Sequence, residues 1–268
     1  MKMAISGIFG LAMAALLAAC VTSPTGRSQF ILISEGEMAQ LGETAFSKLK
    51  QEGNVSHNRS INRYVQCVTR HLAEALPPSE QDRWEVVVFD QSEANAFALP
   101  GGKVGIHTGM LDVARNQHQL AAVIGHEIAH VIARHGAERV SQQFAAQTAL
   151  SLVQAYTRDR PQQQQQTVMA LLGAGAQVGV LLPFSRTQES EADRYGLEIM
   201  ARAGFDPAAS VELWRNMKAA SRGRTPPEFL STHPAPDTRI RDLQRQVPSA
   251  AQIAADARGQ GRQPNCHR

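Results

Sequence analysis

The stretch His126-Glu127-Ile128-Ala129-His130 decides how the chain is read. It lies in a segment that opens at Asn116, a side chain suited to an N-cap. Leu120, Val123, Ile124, Ile128, Val131 and Ile132 follow as an apolar stripe at helical spacing, interrupted by histidines. On such a helix the two imidazoles stand at i and i+4, on one face and one turn apart, where both reach one zinc ion at about 2.0–2.1 Å. Glu127 falls at the edge of that face, placed to take a proton from water at the metal rather than to ligate it. Val123, Ile124, Ile128 and Val131 supply dry walls.

Two histidines and a general base need a third ligand. The metzincin pattern does not supply it, because Ala133 and Gly136 stand where that pattern needs Gly and His. Downstream, Ser185-Arg186-Thr187-Gln188-Glu189-Ser190-Glu191-Ala192-Asp193 places Glu189 and Asp193 at i and i+4 on one helical face. That suits a ligating carboxylate one turn from an acid that orients a ligand histidine through its other ring nitrogen. Glu189 would complete a His₂Glu set with one open position, the catalytic rather than the structural arrangement. Glu191, on another face, is the alternative third ligand.

Outward from this centre the chain reads as mainly helical α+β. Ser34-x-x-Glu37 resembles a capping box for a helix through about Lys50, and Ile61, Tyr64, Val65, Val68 and Leu72 keep helical spacing before Pro77-Pro78. Trp84 to Phe89, Ala94 to Leu99 and Lys103 to His107 read as strands of a small antiparallel sheet, the last two joined across Pro100-Gly101-Gly102. Residues 141–184 read as a helix, a loop carrying five glutamines at 162–166, and a second helix. Its apolar stretch Val168 to Leu182 is only 15 residues long and contains Gln177, short of a span. Asp206-Pro207 opens another helix to about Ala220, Pro236 to Gln246 reads as one more, and the tail after Pro248 is expected to be loose unless Cys266 pins it. His107, His118 and His135 are left as structural or surface residues.

The chain has 268 residues, 43% of them hydrophobic and 19% charged, which rules out collagen-like, coiled-coil and wholly disordered classes. Its net charge of +3 is scattered and aromatics are 5%, so no nucleic-acid surface is expected. Lys2 followed by the apolar run Ala4 to Ala19 has signal-peptide length. Leu17-Ala18-Ala19-Cys20 resembles a lipoprotein cleavage box, with lipidation expected at Cys20 and the polar stretch Thr22 to Ser28 as a slack tether. Val21 is not the Asp that resembles an inner-membrane retention signal, so a periplasm-facing outer-membrane address is favoured. Cys67 and Cys266 remain as an even pair in an exported chain, either disulfide-bonded or two separate thiols.

Taken together, HEIAH at 126–130, SRTQESEAD at 185–193, ANAFALPGG at 94–102 and STHPAPDTR at 231–239 resemble the zinc metallopeptidases of the HtpX, CAAX-prenyl-protease and Oma type, peptidase family forty-eight. Within it they resemble the soluble lipoprotein members such as BepA and LoiP. The resemblance covers about residues 30–247. It implies a gluzincin fold with one zinc per chain on His126, His130 and Glu189, Glu127 as general base and Asp193 behind a ligand. It also implies an edge strand at Asn95, Ala96 and Phe97 that takes an extended substrate as one more strand. His233 matches the family's late histidine, which either steadies the oxyanion or fills the metal's fourth position at rest, and Arg239 matches a residue that pairs with site carboxylates. The expected organisation is a leader at 1–19, a lipid-anchored tether at 20–29, a metallopeptidase domain at 30–247 and a tail at 248–268. The expected function is an endopeptidase acting on unfolded or misassembled envelope proteins, with outer-membrane assembly machinery as a partner. The alternative is a chaperone or assembly factor with gated, mostly latent protease activity; whether the loop at 162–166 gates the cleft is left open by the sequence.

Overall fold

The computed structural model describes residues 20–157, 184–220, 228–234 and 237–268. The leader, the glutamine run and the apolar stretch 168–182 lie outside them. In chain order the elements are strands β1 (Cys20–Thr22) and β2 (Ser28–Phe30), helices α1 (Glu35–Glu52) and α2 (Arg59–Glu74), and strands β3 (Glu85–Phe89), β4 (Ala96–Leu99) and β5 (Lys103–His107). Helices α3 (Met110–Val113), α4 (Gln117–Ile132), α5 (His135–Thr157), α6 (Arg186–Arg202), α7 (Ala208–Ala220), α8 (Glu228–Thr232) and α9 (Asp237–Gly259) follow. The chain divides into two units, Met1–Glu35 with Arg134–Leu182, and Gly36–Ala133 with Pro183–Arg268.

In the first unit the stretch expected to be slack is ordered. β1 and β2 form an antiparallel hairpin whose turn passes through Gly26 at φ 89°, a conformation that favours glycine. Arg27 forks onto Glu138 of α5 at 2.8 and 2.7 Å, Gln29 adds a hydrogen bond to the same carboxylate at 3.3 Å, and the Leu32 N–H donates to Ser141 at 2.8 Å. A planar guanidinium matched to a buried carboxylate holds chain that composition alone marks as a linker.

The second unit holds the metal helix, α4, and the elements packed on it. α4 starts as expected: Asn116 Oδ1 accepts from the N–H groups of His118 and Gln119 at 3.0 and 2.9 Å. Its apolar side chains Leu120, Ile124 and Ile128 pack with Val65, Val68 and Leu72 of α2, Val104 and Ile106 of β5, and Ile199 and Met200 of α6. The small sheet is mixed rather than wholly antiparallel. Its order is β3-β5-β4, with β3 parallel to β5 and β4 antiparallel to it. β5 has the more buried face and takes the centre, so the two chain reversals between β3 and β5 leave these strands pointing the same way. β4 is thereby left at an edge, with Phe97 lying over Gly105.

α6 makes its most extensive contact with α4, and glycines set their separation. A Cβ on Gly196 would stand 2.9 Å from Gly125 C and from His126 N and Cα, all backbone atoms that cannot swing aside. α9 runs through Pro248 to Gly259, so the expected stop is not there. Burial of Ala250, Ala254 and Ala257 beyond the proline offsets the one lost hydrogen bond. The tail is pinned: a disulfide joins Cys67 to Cys266, the Cys266 N–H donates to Gln117 Oε1 at 2.8 Å, and Gln117 Nε2 donates to Pro264 O at 3.1 Å. The C-terminus therefore grips the first residue of α4.

Two outcomes are expected. Gly196→Ala gains about 1 kcal/mol of helix propensity but meets fixed backbone, and overpacking of about 1–3 kcal/mol outweighs that gain. Its melting temperature and zinc content should both fall. Cys67→Ser opens a loop closed over 199 residues and should cost about 2–5 kcal/mol in denaturant titration, with the metal side chains left in place.

Candidate metal centre

α4 presents His126 and His130 on one face, as their spacing requires, and α6 brings Glu189 against them. Ser185 makes this placement firm, since its side chain accepts from Gln188 N at 3.2 Å while Gln188 Oε1 accepts from Ser185 N at 3.0 Å. This capping box puts Glu189 in the first turn of α6. The loop after α8 adds His233. Donor atoms of His126, His130, Glu189 and His233 all lie within 4.8 Å of one another, and all four residues are buried.

The separations test whether a metal fits. His126 Nε2 lies 3.1 Å from His130 Nε2 and 3.3 Å from His233 Nδ1. Glu189 Oε1 lies 3.4 Å from His130 Nε2 and 2.9 Å from His233 Nδ1. Ligands about 2.0–2.1 Å from a tetrahedral centre stand about 3.3 Å apart, so these spacings match zinc. Charge agrees as well. Glu127, Glu189 and Asp193 are buried in a space almost shut to water with one guanidinium, Arg239, which pairs with Glu189 and Asp193; the carboxylates outnumber it by two, a difference that a divalent cation would balance.

Around the donors each group has a distinct partner. Asp193 Oδ1 stands 3.1 Å from His126 Nδ1, so the Nε2 lone pair is directed inward. Arg239 clasps Asp193 through Nε at 2.7 Å and Nη2 at 2.6 Å, reaches Glu189 Oε2 with Nη1, and donates from the same nitrogen to Pro234 O at 2.9 Å. Its guanidinium carbon lies 4.0 Å over the Trp214 ring. Burial pushes the carboxyls of Asp193 and Glu189 up; for Asp193 Arg239 outweighs it, for Glu189 hydrogen bonds from His130 and His233, and both stay below the usual range. Burial holds His130 well below its usual value, hence neutral and ready to donate a lone pair.

Glu127 differs. Its Oε2 accepts from the Ala98 N–H of β4 at 3.1 Å, and Oε1 has no hydrogen-bond partner, with His233 Nε2 at 3.4 Å. Burial raises its pKa, as suits a group that both takes and returns a proton. Glu191 is buried but outside the donor set. Asn95, Ala96 and Phe97 lie at the edge of the sheet, and Asn95 O accepts from His107 N at 3.0 Å. Phe184, Phe229 and Trp214, whose rings touch site residues, follow no spacing that marks them in sequence. Ser185-x-x-Gln188 is a readable capping signal that locates the start of α6.

Arg239→Leu would strand two buried carboxylates without a cation. Removing one partner of such a set costs about 3–5 kcal/mol, so the metal-free variant should melt far below wild type. Saturating zinc should restore part of the loss, because the ion supplies the missing positive charge. Equal melting losses with and without zinc would contradict this account.

Comparison with known proteins agrees with this geometry. The model of peptidase family M48 matches residues 59–247. The mitochondrial metalloendopeptidase OMA1 of Bos taurus is 34% identical over 87% of this chain and 47% of its own length. The OMA1 of Saccharomyces cerevisiae is 39% identical over 85% of this chain and 68% of its own. The β-barrel assembly-enhancing protease of Escherichia coli is 29% identical over 83% of this chain and 46% of its own. The chain thus spans about half the length of most of these relatives. With the motif helix, the carboxylate helix and the late histidine all inside the matched region, the chain belongs to peptidase family M48.

Proposed function

We propose that the chain is a zinc endopeptidase that hydrolyses peptide bonds in unfolded or misassembled envelope polypeptides. The observation that carries this reading is the meeting of three elements at one point: the donors of His126, His130 and Glu189, the Glu127 carboxylate with a bare buried oxygen, and the edge strand β4, whose Ala98 N–H reaches Glu127. Zinc, when bound, polarises the scissile carbonyl and acidifies water beside it.

The chain's own groups then divide the work. Asn95, Ala96 and Phe97 offer backbone to an extended segment, which unfolded clients expose and folded ones hide. Glu127 takes a proton from the attacking water and returns it to the leaving amine, while Asp193 and Arg239 keep His126 and Glu189 aligned. His233 steadies the developing oxyanion once it has left the donor cluster.

Sequence supports an address for this activity. Leu17-Ala18-Ala19-Cys20 favours a lipid on Cys20, and Val21 favours the outer membrane, with the domain facing the periplasm. Among the described residues no helix is long and apolar enough to cross a membrane. The relative named for β-barrel assembly supports outer-membrane assembly machinery as a partner. A second reading, an assembly factor with mostly latent proteolysis, is favoured by one observation: His233 contacts both Glu127 and Glu189 and so fills the space between the proposed base and the donor carboxylate.

The test uses the full chain. Wild type and Glu127→Gln should both hold about one zinc, and Glu189→Ala should lose it. Casein cleavage should fall by about 10²–10⁴-fold in Glu127→Gln. Undiminished cleavage in Glu127→Gln would overturn the assignment of the base, and client assembly that survives in Glu127→Gln would favour the second reading.

A further inference from the structure

His233 is held by more than its hydrogen bonds. Its imidazole is 4.5 Å from the Phe229 ring and 5.2 Å from the Phe184 ring, each inclined by 26°. Phe184 also covers His130, with centroids 4.0 Å apart. The Phe184 N–H donates to Thr232 O at 3.2 Å, so backbone and ring of one residue both engage the His233 loop. Phe229 is a core side chain with 1% of its surface exposed, whereas Phe184 is half-buried. It sits next to Ser185, whose capping box anchors it to the helix that carries Glu189.

We propose that Phe184 is a positioning residue that latches His233 onto the donor cluster and so sets the resting activity of the site. This rests on the metal-centre reading above. With His233 Nδ1 among the donors, the fourth direction is filled from within the chain, and Nε2 occupies the approach to Glu127. For His233 to leave, its ring must part from Phe184, and the Phe184–Thr232 bond must stretch with the loop. Among the described residues, Phe184 is the least buried of the rings packed on His233. An arriving polypeptide can displace it without opening the core that holds Phe229. Loss of that ring frees His233 while Phe229 and Arg239 still fix the base of the loop.

The experiment loads the metal-free full chain with Co²⁺ and records its visible spectrum, which reports donor number and geometry, beside casein cleavage by the zinc form. Phe184→Ala should shift the cobalt spectrum toward that of His233→Ala and raise cleavage several-fold. Phe184→Tyr, which keeps the ring, should retain the wild-type spectrum, and Phe184→Leu should fall between. A Phe184→Ala spectrum identical to wild type, with His233→Ala changed, overturns the latch while leaving the metal centre intact. Loss of cobalt in Phe184→Ala but not in His233→Ala overturns it too, because the ring would then serve His130. An unchanged spectrum in His233→Ala removes His233 from the metal and the latch with it. A wild type that binds no cobalt rejects the underlying metal centre as well.

Discussion

Three carboxylates and one guanidinium share a space from which water is nearly excluded, and the rest of the second unit is arranged around that fact. Glu127, Glu189, Asp193 and Arg239 are each 2–7% exposed. Buried unpaired charge is among the most costly things a fold can hold, and Arg239 neutralises only part of it. A divalent cation held by His126, His130, His233 and Glu189 would complete the balance. The same side chains therefore set stability and metal affinity together, and metal loss should loosen the domain as well as silence it.

That arrangement depends on two helices lying closer than ordinary side chains allow. Gly125 and Gly196 face each other where α4 crosses α6, which lets Glu189 and Asp193 reach the histidine face of α4 without distortion. The tail pinned by Cys67–Cys266 holds the start of α4 through Gln117, and β4 meets its middle through Ala98 and Glu127. The metal helix is thus fixed at its N-terminus, at its catalytic turn and along its glycine seam. Preorganisation of this kind keeps the donor side chains and Glu127 in register.

Much of the site could be read because helical periodicity turns spacing into geometry. His126 and His130, and Glu189 and Asp193, are both i and i+4 pairs, and the structure lays one pair against the other. Strand order has no such local signature. Which strand takes the centre depends on which one buries its faces most fully, and that is settled by packing from α2 and α4. The hairpin of β1 and β2 was illegible for the same reason, since Arg27 finds its partner 111 residues away. Pro248 misleads because the cost of one proline inside α9 is small beside the three alanines buried after it. His233 and Arg239 drew attention only through resemblance, and the aromatic rings around them carry no pattern at all.

The two glutamates of the centre show how environment assigns roles to one residue type. Glu189 is driven down by hydrogen bonds from His130 and His233 and by Arg239, so it remains a carboxylate fit to hold a cation. Glu127, one residue from a ligand histidine, meets no guanidinium; burial raises it, and a single backbone N–H steadies one oxygen. Divergent shifts in neighbouring acids mark donor and base. The chain realises them chiefly through the His130 and His233 hydrogen bonds to Glu189, with the Arg239 cation, beside Glu189 and not beside Glu127, adding to the difference. Moving that charge toward Glu127 would leave a centre that still held metal yet lacked a group able to carry the proton.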